Sequence, residues 1–349
     1  MISASHNPYW DNGIKLMNGV GEKMDDALQD ELEAYIDGDP NSIPWAVEDK
    51  IGRTIDFYSG RNRYIGYLTS IATRSFGDRK VALDCSNGSA WMIGRAVFDA
   101  LGAKTYVIND KPDGVNVNLR CGSTHIEGLQ QYVRENKLDV GFAFDGDCDR
   151  VAVLERGRTL DNDRLLFALA KYMSENGMLR KDMVVGTVLT NRGVEMALNG
   201  LNLRLLRSDV GDANVFHLMS KKGVNLGGER SGHFLLSDFA TGSDALLNAL
   251  FFAKIYREKG SLFDYTAGYK NVPCREKSIN VTPQQLKSMK NSSYFEKVAG
   301  EVRALFGGVK LVLRASGTEP KVRIYIEGED AGEIEEAMRH TAWQISDFV

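Results

Sequence analysis

The residues best suited to chemistry are three aspartates in the segment FAFDGDCDR, residues 142–150. Asp145, Asp147 and Asp149 stand at alternate positions directly after a short apolar run. Hard divalent cations such as Mg²⁺ prefer oxygen ligands, which three carboxylates on one tight turn can supply. Ligand sites also gather at the carboxyl ends of buried parallel strands. The pattern therefore favours a magnesium site, with Arg150 as a nearby cation, over a solvated acidic turn.

A second candidate loop opens the chain, in MISASHNPYWDNGIK, residues 1–15. Ser5 could serve as a nucleophile or a phosphate carrier if a base or a metal ion activates it. His6 follows it directly, and Lys15 ends the segment. The sequence S-H-N-P is also a good turn, and a single lysine most often lies on the surface. A purely structural role therefore remains open for this loop.

The third loop, GGERSGHF at residues 227–234, carries polar groups that suit a sugar. Its paired glycines let the backbone approach a ligand closely. Glu229, Ser231 and His233 alternate and could face one side, where they would recognise hydroxyl groups or an amine. A tight hairpin with incidental polar residues is the alternative.

The fourth loop, RASGTEPKVR at residues 314–323, contains the groups that an oxyanion needs. It combines a cation that grips phosphate in a fork with two hydroxyl groups and an exposed backbone N–H. These groups belong to Arg314, Ser316, Gly317 and Thr318. The alternative is an ordinary turn between two strands whose polar residues bind nothing. Phosphoryl transfer on a sugar phosphate would use all four loops.

Alternating strand and helix patterns are expected to position these loops. KVALDC, AKTYVIND and LDVGFAFD read as strands separated by helical segments, which indicates a parallel sheet covered by helices. The alternation continues to about residue 270. Beyond it, VRIYIE alternates strictly, so Val322, Ile324 and Ile326 should face one side of a half-buried antiparallel strand. The chain thus reads as two α/β units followed by a smaller α+β unit.

Composition narrows the class of protein. The chain has 349 residues, of which 43% are apolar and 26% charged, as in soluble globular proteins of two to four domains. The net charge of −4 gives no general support for nucleic-acid binding. The four cysteines form no C-x-x-C pair, which argues against disulfides or zinc and favours a cytoplasmic protein. No apolar run approaches the ~20 residues needed to cross a bilayer, so no membrane partner is expected.

The four motifs together resemble the α-D-phosphohexomutase superfamily. The matching segments are S-A-S-H-N-P with D-N-G-I-K, F-D-G-D-x-D-R, G-G-E-x-S-G-H and R-x-S-G-T-E-P, in the superfamily's order. P-D-G-V-N-V-N with C-G-S-T-H, in residues 112–125, and V-G-D at residues 210–212 are similar to the branch that acts on glucosamine phosphates. The resemblance implies a multidomain α/β fold of mixed and parallel sheets with a C-terminal α+β domain, heart-shaped around a central cleft.

The resemblance also implies four domains that each contribute one loop. Residues 1–68 would carry the phosphoserine loop, residues 69–160 the metal loop, residues 161–270 the sugar loop and residues 271–349 the phosphate loop. The first is expected to be the remnant of a larger domain, because superfamily members carry further α/β sequence before the serine loop. Whether the chain is stable and active in this form, and whether it forms a homodimer, is left open.

By the same resemblance, Ser5 is carried as phosphoserine, and its phosphate shares a Mg²⁺ ion with the three aspartates. The phosphate passes to one end of the sugar phosphate, and the resulting sugar 1,6-bisphosphate returns its other phosphate to the serine. Lys15 matches the proposed general acid/base, with His6 beside the serine and His233 as a second candidate. Residues implied to bind substrate are Arg150, Glu229, Ser231, Arg314, Ser316, Gly317 and Thr318.

The implied reaction interconverts glucosamine 6-phosphate and glucosamine 1-phosphate, towards UDP-N-acetylglucosamine. Alternatives are phosphomannomutase or phosphoglucomutase activity, or an inactive chain that binds sugar phosphates. The sequence departs from the superfamily pattern at four positions. Cys148 replaces a glycine and would be strained at a positive φ, while Ala213 replaces an arginine and Ala315 a proline. Arg230 replaces a glutamine, and the cation that it adds beside the sugar loop keeps another sugar open.

Overall fold

The computed structural model describes residues 1–39, 42, 44–72, 75–316 and 319–348. Within these residues no helix is both long and apolar enough to cross a bilayer. The α-helices are α1 (Asp26–Ile36), α2 (Tyr58–Ile71), α3 (Ile93–Ala100), α4 (Glu127–Glu135), α5 (Asn162–Glu175), α6 (Arg192–Asn199), α7 (Asp212–Lys222), α8 (Ala245–Lys259), α9 (Leu262–Tyr265), α10 (Pro283–Asn291), α11 (Tyr294–Leu305) and α12 (Ala331–Ser346).

The strands group into one pair and three sheets. Their bounds are β1 (Ile2–Ser3), β2 (Gly13–Ile14), β3 (Lys80–Asp84), β4 (Lys104–Ile108), β5 (Val140–Phe144), β6 (Val151–Glu155), β7 (Arg158–Leu160), β8 (Met183–Thr187), β9 (Arg204–Ser208), β10 (Leu226–Gly228), β11 (Phe234–Leu236), β12 (Cys274–Asn280), β13 (Val309–Ala315) and β14 (Lys321–Gly328). Strands β1 and β2 pair antiparallel, so the chain between them forms a loop whose ends are adjacent.

The sheet that leads to the three aspartates has the order β4-β3-β5-β6-β7. Strand β3 is parallel to β4 and β5, whereas β6 and β7 continue the sheet antiparallel. The expected parallel sheet is therefore mixed. Every residue of β5 is buried, as is usual for a strand covered on both faces. The carboxyl end of β5 opens directly into the turn that carries the aspartates.

The next sheet has the order β11-β10-β8-β9, with β8 parallel to both of its neighbours. Strands β10 and β11 form an antiparallel pair in which Gly228 lies opposite Phe234. The loop predicted to contact a sugar is the turn of this hairpin.

One continuous apolar core joins these two sheets, and it extends from Leu68 to Tyr269. Helix α8 contacts β5 and β6 on one side and β11 on the other. Its apolar residues point in all directions, so the helix is buried along most of its length. The metal loop and the sugar loop are consequently carried by a single packed body.

The C-terminal sheet is antiparallel, has the order β12-β14-β13, and packs its own core against α12. Burial of Val322, Ile324 and Ile326 on one face of β14 confirms the predicted alternation. The opposite face is less exposed than expected, since Tyr325 and Glu327 are also buried. The reason is that residues of the preceding unit cover this face.

Candidate active site

The turn after β5 brings the three aspartates together. The oxygen atoms that Asp145, Asp147 and Asp149 offer all lie within 4.8 Å of one another. Asp145 is buried, and its Oδ1 accepts hydrogen bonds from the backbone N–H groups of Asp149 and Arg150, both at 3.1 Å. These two bonds fold the turn around the Asp145 carboxylate, and the carboxylates of Asp147 and Asp149 lie next to it.

The chemistry of this cluster fits a hard cation. The Oδ1 atoms of Asp147 and Asp149 are buried and accept no hydrogen bond from a described residue. Burial, together with the charges of the two neighbouring carboxylates, raises the pKa of Asp145 to about 8. Buried carboxylates with unpaired oxygens are costly unless a cation compensates them. The arrangement of the three carboxylates therefore fits a divalent metal ion.

Ser5 lies next to this cluster, although it is 140 residues away from Asp145 in the sequence. Its hydroxyl donates to Asp145 Oδ2 at 3.4 Å. Its carbonyl accepts hydrogen bonds from Gly146 N at 2.9 Å and from Asn118 Nδ2 at 2.7 Å. Asn118 also donates to the carbonyl of Asn7, at 2.8 Å. These bonds hold Ser5 in a left-handed conformation, φ 51°, with its side chain turned towards the aspartates.

His6 and Arg150 form a pair beside Ser5. Arg150 Nη1 donates to His6 Nδ1 at 2.8 Å, so this ring nitrogen must be unprotonated. Burial, assisted by the Arg150 guanidinium, lowers the pKa of His6. A neutral His6 can accept from Arg150 and fix its guanidinium close to the serine.

Lys15 is not a surface lysine, because its ammonium group lies on the aspartate cluster. Its Nζ donates to Asp147 Oδ2 at 2.5 Å and to Asp149 Oδ2 at 3.1 Å. Burial opposes the charge of Lys15, but the two carboxylates raise its pKa above the ordinary value. Lys15 is therefore a protonated donor within reach of the same groups as the metal site.

His233 lies on the far side of the cluster, between two carboxylates. Its Nδ1 is 3.8 Å from Asp149 Oδ1, and its Nε2 is 3.4 Å from Asp212 Oδ2. Asp212 in turn pairs with Lys23. The loop before His233 turns at Gly232, φ 89°, where an added Cβ would lie 2.6 Å from the carbonyl oxygen of Val151. Only glycine allows this close approach, which brings His233 to the metal loop.

The rest of the sugar loop has a different arrangement from the one expected. The Glu229 carboxylate accepts from the backbone N–H of Gly211 at 2.8 Å and from the Ser231 hydroxyl at 3.5 Å. The Arg230 side chain points away from both and into the seam with the C-terminal unit, where it pairs with Asp163 at 3.2 Å. The added cation is therefore not beside the sugar-contacting groups.

The fourth loop is described only in part, because Gly317 and Thr318 lie outside the described residues. Ser316 is buried, and Arg314 is half-buried at the edge of a pocket of about 130 Å³. Arg323 lies directly opposite Arg314 across the two strands. Burial and the charge of Arg323 lower the pKa of Arg314. Two arginines placed side by side repel each other, and a bound anion would relieve this repulsion.

Cys148 adopts a positive φ of 61°, the strained conformation anticipated if the position needed one. Its side chain packs against the shared apolar core. Burial raises the pKa of its thiol well above the usual range. A neutral thiol that packs into the core does not compete with the carboxylates for a hard cation.

Three residues of the site were not singled out from the sequence: Asn118, Asp212 and Arg323. Asn118 and Asp212 lie in the segments that resemble the glucosamine branch. This resemblance indicated that the segments matter, but it did not indicate what either residue does. Arg323 follows the phosphate motif, and its alternation with buried residues in β14 could have shown that it shares the face of Arg314.

Comparison with known proteins agrees with this geometry. Family models for phosphoglucomutase/phosphomannomutase match in order: domain I at residues 1–42, domain II at 62–158, domain III at 161–271 and the C-terminal domain at 270–342. The phosphoglucosamine mutase of Lachnospira eligens is 45% identical over 342 residues, which cover 97% of this chain and 75% of that protein.

Solved structures show the same fold. A phosphoglucomutase/phosphomannomutase family protein of Burkholderia thailandensis matches with a TM-score of 0.75 and 20% identity, over 99% of this chain and 76% of the other. N-acetylphosphoglucosamine mutase of Aspergillus fumigatus, in complex with GlcNAc-6P and magnesium, matches with a TM-score of 0.64 and 20% identity, over 82% of this chain and 70% of the other. The expected multidomain α/β fold is thereby confirmed.

Proposed function

The chain belongs to the phosphoglucomutase/phosphomannomutase family and is an intramolecular phosphotransferase of the isomerase class, and we propose that it interconverts glucosamine 6-phosphate and glucosamine 1-phosphate. Relatives that are 38–45% identical over most of the chain are phosphoglucosamine mutases. The observation that carries the proposal is the approach of the Ser5 hydroxyl to the three-aspartate cluster. A carrier serine has to lie there for phosphoryl transfer.

In this reaction Ser5 carries the phosphoryl group. The bond between phosphorus and Ser5 Oγ breaks as a bond to a free hydroxyl of the sugar phosphate forms, and the proton of that hydroxyl is passed to Ser5 Oγ, which leaves as a hydroxyl. The sugar bisphosphate then turns around, and its other phosphate returns to Ser5 while the proton of the serine hydroxyl is passed to the released sugar oxygen. Hydrogen bonds from Asn118 and Gly146 keep the serine backbone fixed during both transfers.

Asp145, Asp147 and Asp149 would hold Mg²⁺ together with the phosphate on Ser5. When bound, the ion neutralises charge that develops on the transferring phosphoryl group and on the serine oxygen. The unpaired Oδ1 atoms of two of these aspartates support the assignment.

Lys15 and His233 are the candidates for proton transfer to and from the sugar hydroxyl. Lys15 is protonated and directed at the cluster, which suits a general acid. His233 is held between Asp149 and Asp212, which would orient its ring. We assign the acid/base role to Lys15 in preference to His233. Arg150, which His6 fixes in place, contributes positive charge beside the serine.

The remaining groups would hold the substrate across the site. Glu229 and Ser231 would read the sugar, and Arg314 with Ser316 would grip the phosphate that is not reacting. The same part in phosphate binding is proposed for Gly317 and Thr318 from sequence alone. Arg230 gives no reason to prefer mannose or glucose phosphates, since its guanidinium pairs with Asp163 in the seam.

The test is turnover of glucosamine 6-phosphate by the 349-residue chain with Mg²⁺ and a trace of glucosamine 1,6-bisphosphate. We expect turnover, with phosphate detected on Ser5 by mass spectrometry, and loss of both in Ser5→Ala. Ser70→Ala, which changes an exposed serine in α2, is the matched control. If the unmodified chain shows neither turnover nor phosphate on Ser5, the proposal is wrong.

The sugar is tested by competition among glucosamine, mannose and glucose phosphates. We expect the highest kcat/KM for glucosamine 6-phosphate, because the differential binding of one substituent decides such preferences. A higher value for mannose 6-phosphate or glucose 6-phosphate would replace this assignment. Binding without turnover of any of the three would support the inactive sugar-phosphate-binding alternative instead.

A further inference from the structure

Arg230 belongs to the sugar loop by sequence but contacts the C-terminal unit by structure. Its Nη1 is 2.6 Å from Glu276 Oε1 on β12, and its guanidinium lies 5.1 Å from the ring centre of Tyr325 on β14. On the opposite side its Nε is 3.2 Å from Oδ2 of the buried Asp163 on α5. One side chain thus connects the sugar loop to the sheet that carries the phosphate loop.

Glu276 is an unexpected residue in a pocket that should bind an anion. The pocket is lined by three cations, Lys277, Arg314 and Arg323, and by the carboxylate of Glu276. Burial and the charge of Arg323 lower the pKa of Arg314, and the charges of Glu229 and Glu276 oppose this shift. Without a partner, this carboxylate would repel a phosphate group and compete with it for Arg314.

Arg230 is the partner that removes this conflict. It binds the Glu276 carboxylate directly, and its positive charge compensates the negative charge of this carboxylate. No described residue forms an ion pair or hydrogen bond with the Arg314 guanidinium, which is consequently available to an anion.

We propose that Arg230 is a positioning residue for the phosphate pocket: it neutralises Glu276 and fixes the C-terminal sheet against the sugar loop. This inference rests on the proposed function for the identity of the phosphate ligand. It gives the arginine a role in binding the phosphate end of the substrate and none in choosing the sugar. The backbone carbonyl of Arg230 accepts from Asn162 Nδ2 at 2.7 Å, which anchors the loop end of the link.

The inference predicts a specific pattern in a double-mutant cycle of the full chain. Arg230→Gln should raise KM for glucosamine 6-phosphate about tenfold, with a smaller change in kcat. The reason is that the negative charge of Glu276 is then uncompensated and repels the phosphate group in a partly solvated pocket. Glu276→Gln alone should leave KM unchanged or lower it. The double variant should return KM to within about threefold of the unmodified protein, since the uncovered charge is gone.

A merely structural role for Arg230 predicts a different result. The double variant would then be as impaired as Arg230→Gln, because Asp163 is unpaired in both; that result, or an unchanged KM in Arg230→Gln, would overturn the inference. Calorimetric binding of glucosamine 6-phosphate and the thermal midpoint are measured for each variant, so that a folding defect is recognised. If Arg230→Gln is unstable on its own, Asp163→Asn is added to it, which removes the unpaired carboxylate. The effect of Glu276→Gln on KM is then measured in this Asp163→Asn, Arg230→Gln background.

Failure of the proposed function would give a separate result. If the unmodified chain binds glucosamine 6-phosphate but does not convert it, the mutase assignment fails, whereas the cycle can still be read from the dissociation constants. If it converts the substrate and the cycle shows no rescue, only the role of Arg230 fails.

Discussion

At the scale of single residues, one amide holds much of the serine loop in place. Asn118 donates to the carbonyls of Ser5 and Asn7 and is itself buried. It holds a backbone that would otherwise be free to move, since the φ of Ser5 is positive and strained. The position of the reactive hydroxyl consequently depends on a residue that takes no part in the chemistry.

Replacing Asn118 should therefore reduce kcat. We expect Asn118→Ala to lower kcat by about tenfold or more, because small displacements of a reacting group are costly. Asn118→Asp should be worse, since a carboxylate would face two carbonyl oxygens. The measurement is kcat together with the rate at which sugar bisphosphate phosphorylates Ser5. Asn116→Ala, in the same segment, is the control, and equal effects of the two alanine variants would contradict the prediction.

Asp163 provides a pH-dependent test of the ion pair with Arg230. Burial raises the pKa of Asp163 to about 7, while Arg230 opposes the shift and the charges of Asp161 and Glu327 add to it. The pKa is higher in the folded than in the unfolded chain, so this group contributes most stability at low pH and loses it as the pH rises towards 7. Because Arg230 lowers the pKa of Asp163, removing Arg230 should make stability fall more steeply as the pH rises.

We therefore expect the thermal midpoint of Arg230→Gln to fall further below that of the unmodified protein at pH 8 than at pH 6. Adding Asp163→Asn should abolish the difference between the two pH values. Thermal melts followed by circular dichroism test this, and a deficit that does not depend on pH would count against the raised pKa.

Sequence reasoning identified the residues that meet at the site more readily than those that hold them. Asp145, Asp147 and Asp149 are neighbours in the chain, so their convergence follows from local geometry. Asn118 and Asp212 act through contacts between distant segments, which no local pattern encodes. Arg230 was given the wrong surroundings for the same reason, because the direction of a side chain in a turn depends on the tertiary packing.

At the scale of elements, apolar runs predicted several of the buried strands, and strict alternation predicted β14. The runs that became β3, β4 and β5 were readable as strands because each is short, apolar and separated from the next by a helical segment. The elements that were not identified are strands β1, β2, β6, β7 and β11 and helices α2, α7 and α9. Strands β7 and β11 have only three residues each, too few to show a period, whereas β6 has the same length as β5 and was missed for another reason. Helix α7 begins after Gly211 without a side-chain cap, so it lacks the usual start signal.

Helix α10 allows a prediction at this scale, because its start is fixed by a reciprocal cap. The Thr282 hydroxyl accepts from the N–H of Gln285, whose side chain accepts from the N–H of Thr282. Thr282→Ala should destabilise the C-terminal unit by about 1 kcal/mol, the usual cost of losing a cap. Chemical denaturation measures the change, and Thr282→Ser should retain most of the stability. We expect kcat to be unaffected, since α10 lies away from the candidate site.

At the scale of the whole molecule, the described residues form four apolar clusters, of which the two largest are separate cores in different units. One joins the metal and sugar loops, and the other lies within the C-terminal unit. The contacts between them include the ion pair of Arg230 with Glu276 and the hydrogen bonds from Arg192 N to the Glu327 carboxylate. The expected domain limits and the homodimer stay predictions.

Two cores should give two thermal transitions in differential scanning calorimetry. Mg²⁺ should raise the transition of the larger core, since a ligand that binds only the folded state stabilises it by mass action, by about 2.7 kcal/mol at a hundredfold excess over Kd. The transition of the C-terminal unit should not move. Asp147→Asn combined with Asp149→Asn should remove the effect of Mg²⁺, and a single transition that shifts as a whole would contradict the two-core description.

The polar seam also determines how opening of the molecule responds to temperature. Exposure of apolar surface raises the heat capacity, whereas exposure of polar surface lowers it. Parting the C-terminal unit along ion pairs such as Arg230 with Glu276 would expose both kinds of surface, so the two contributions would largely cancel. The free energy of opening should then vary almost linearly with temperature, while the free energy of unfolding follows a curved dome. The enthalpy of opening would accordingly be almost the same at every temperature, whereas the enthalpy of unfolding rises as the temperature rises.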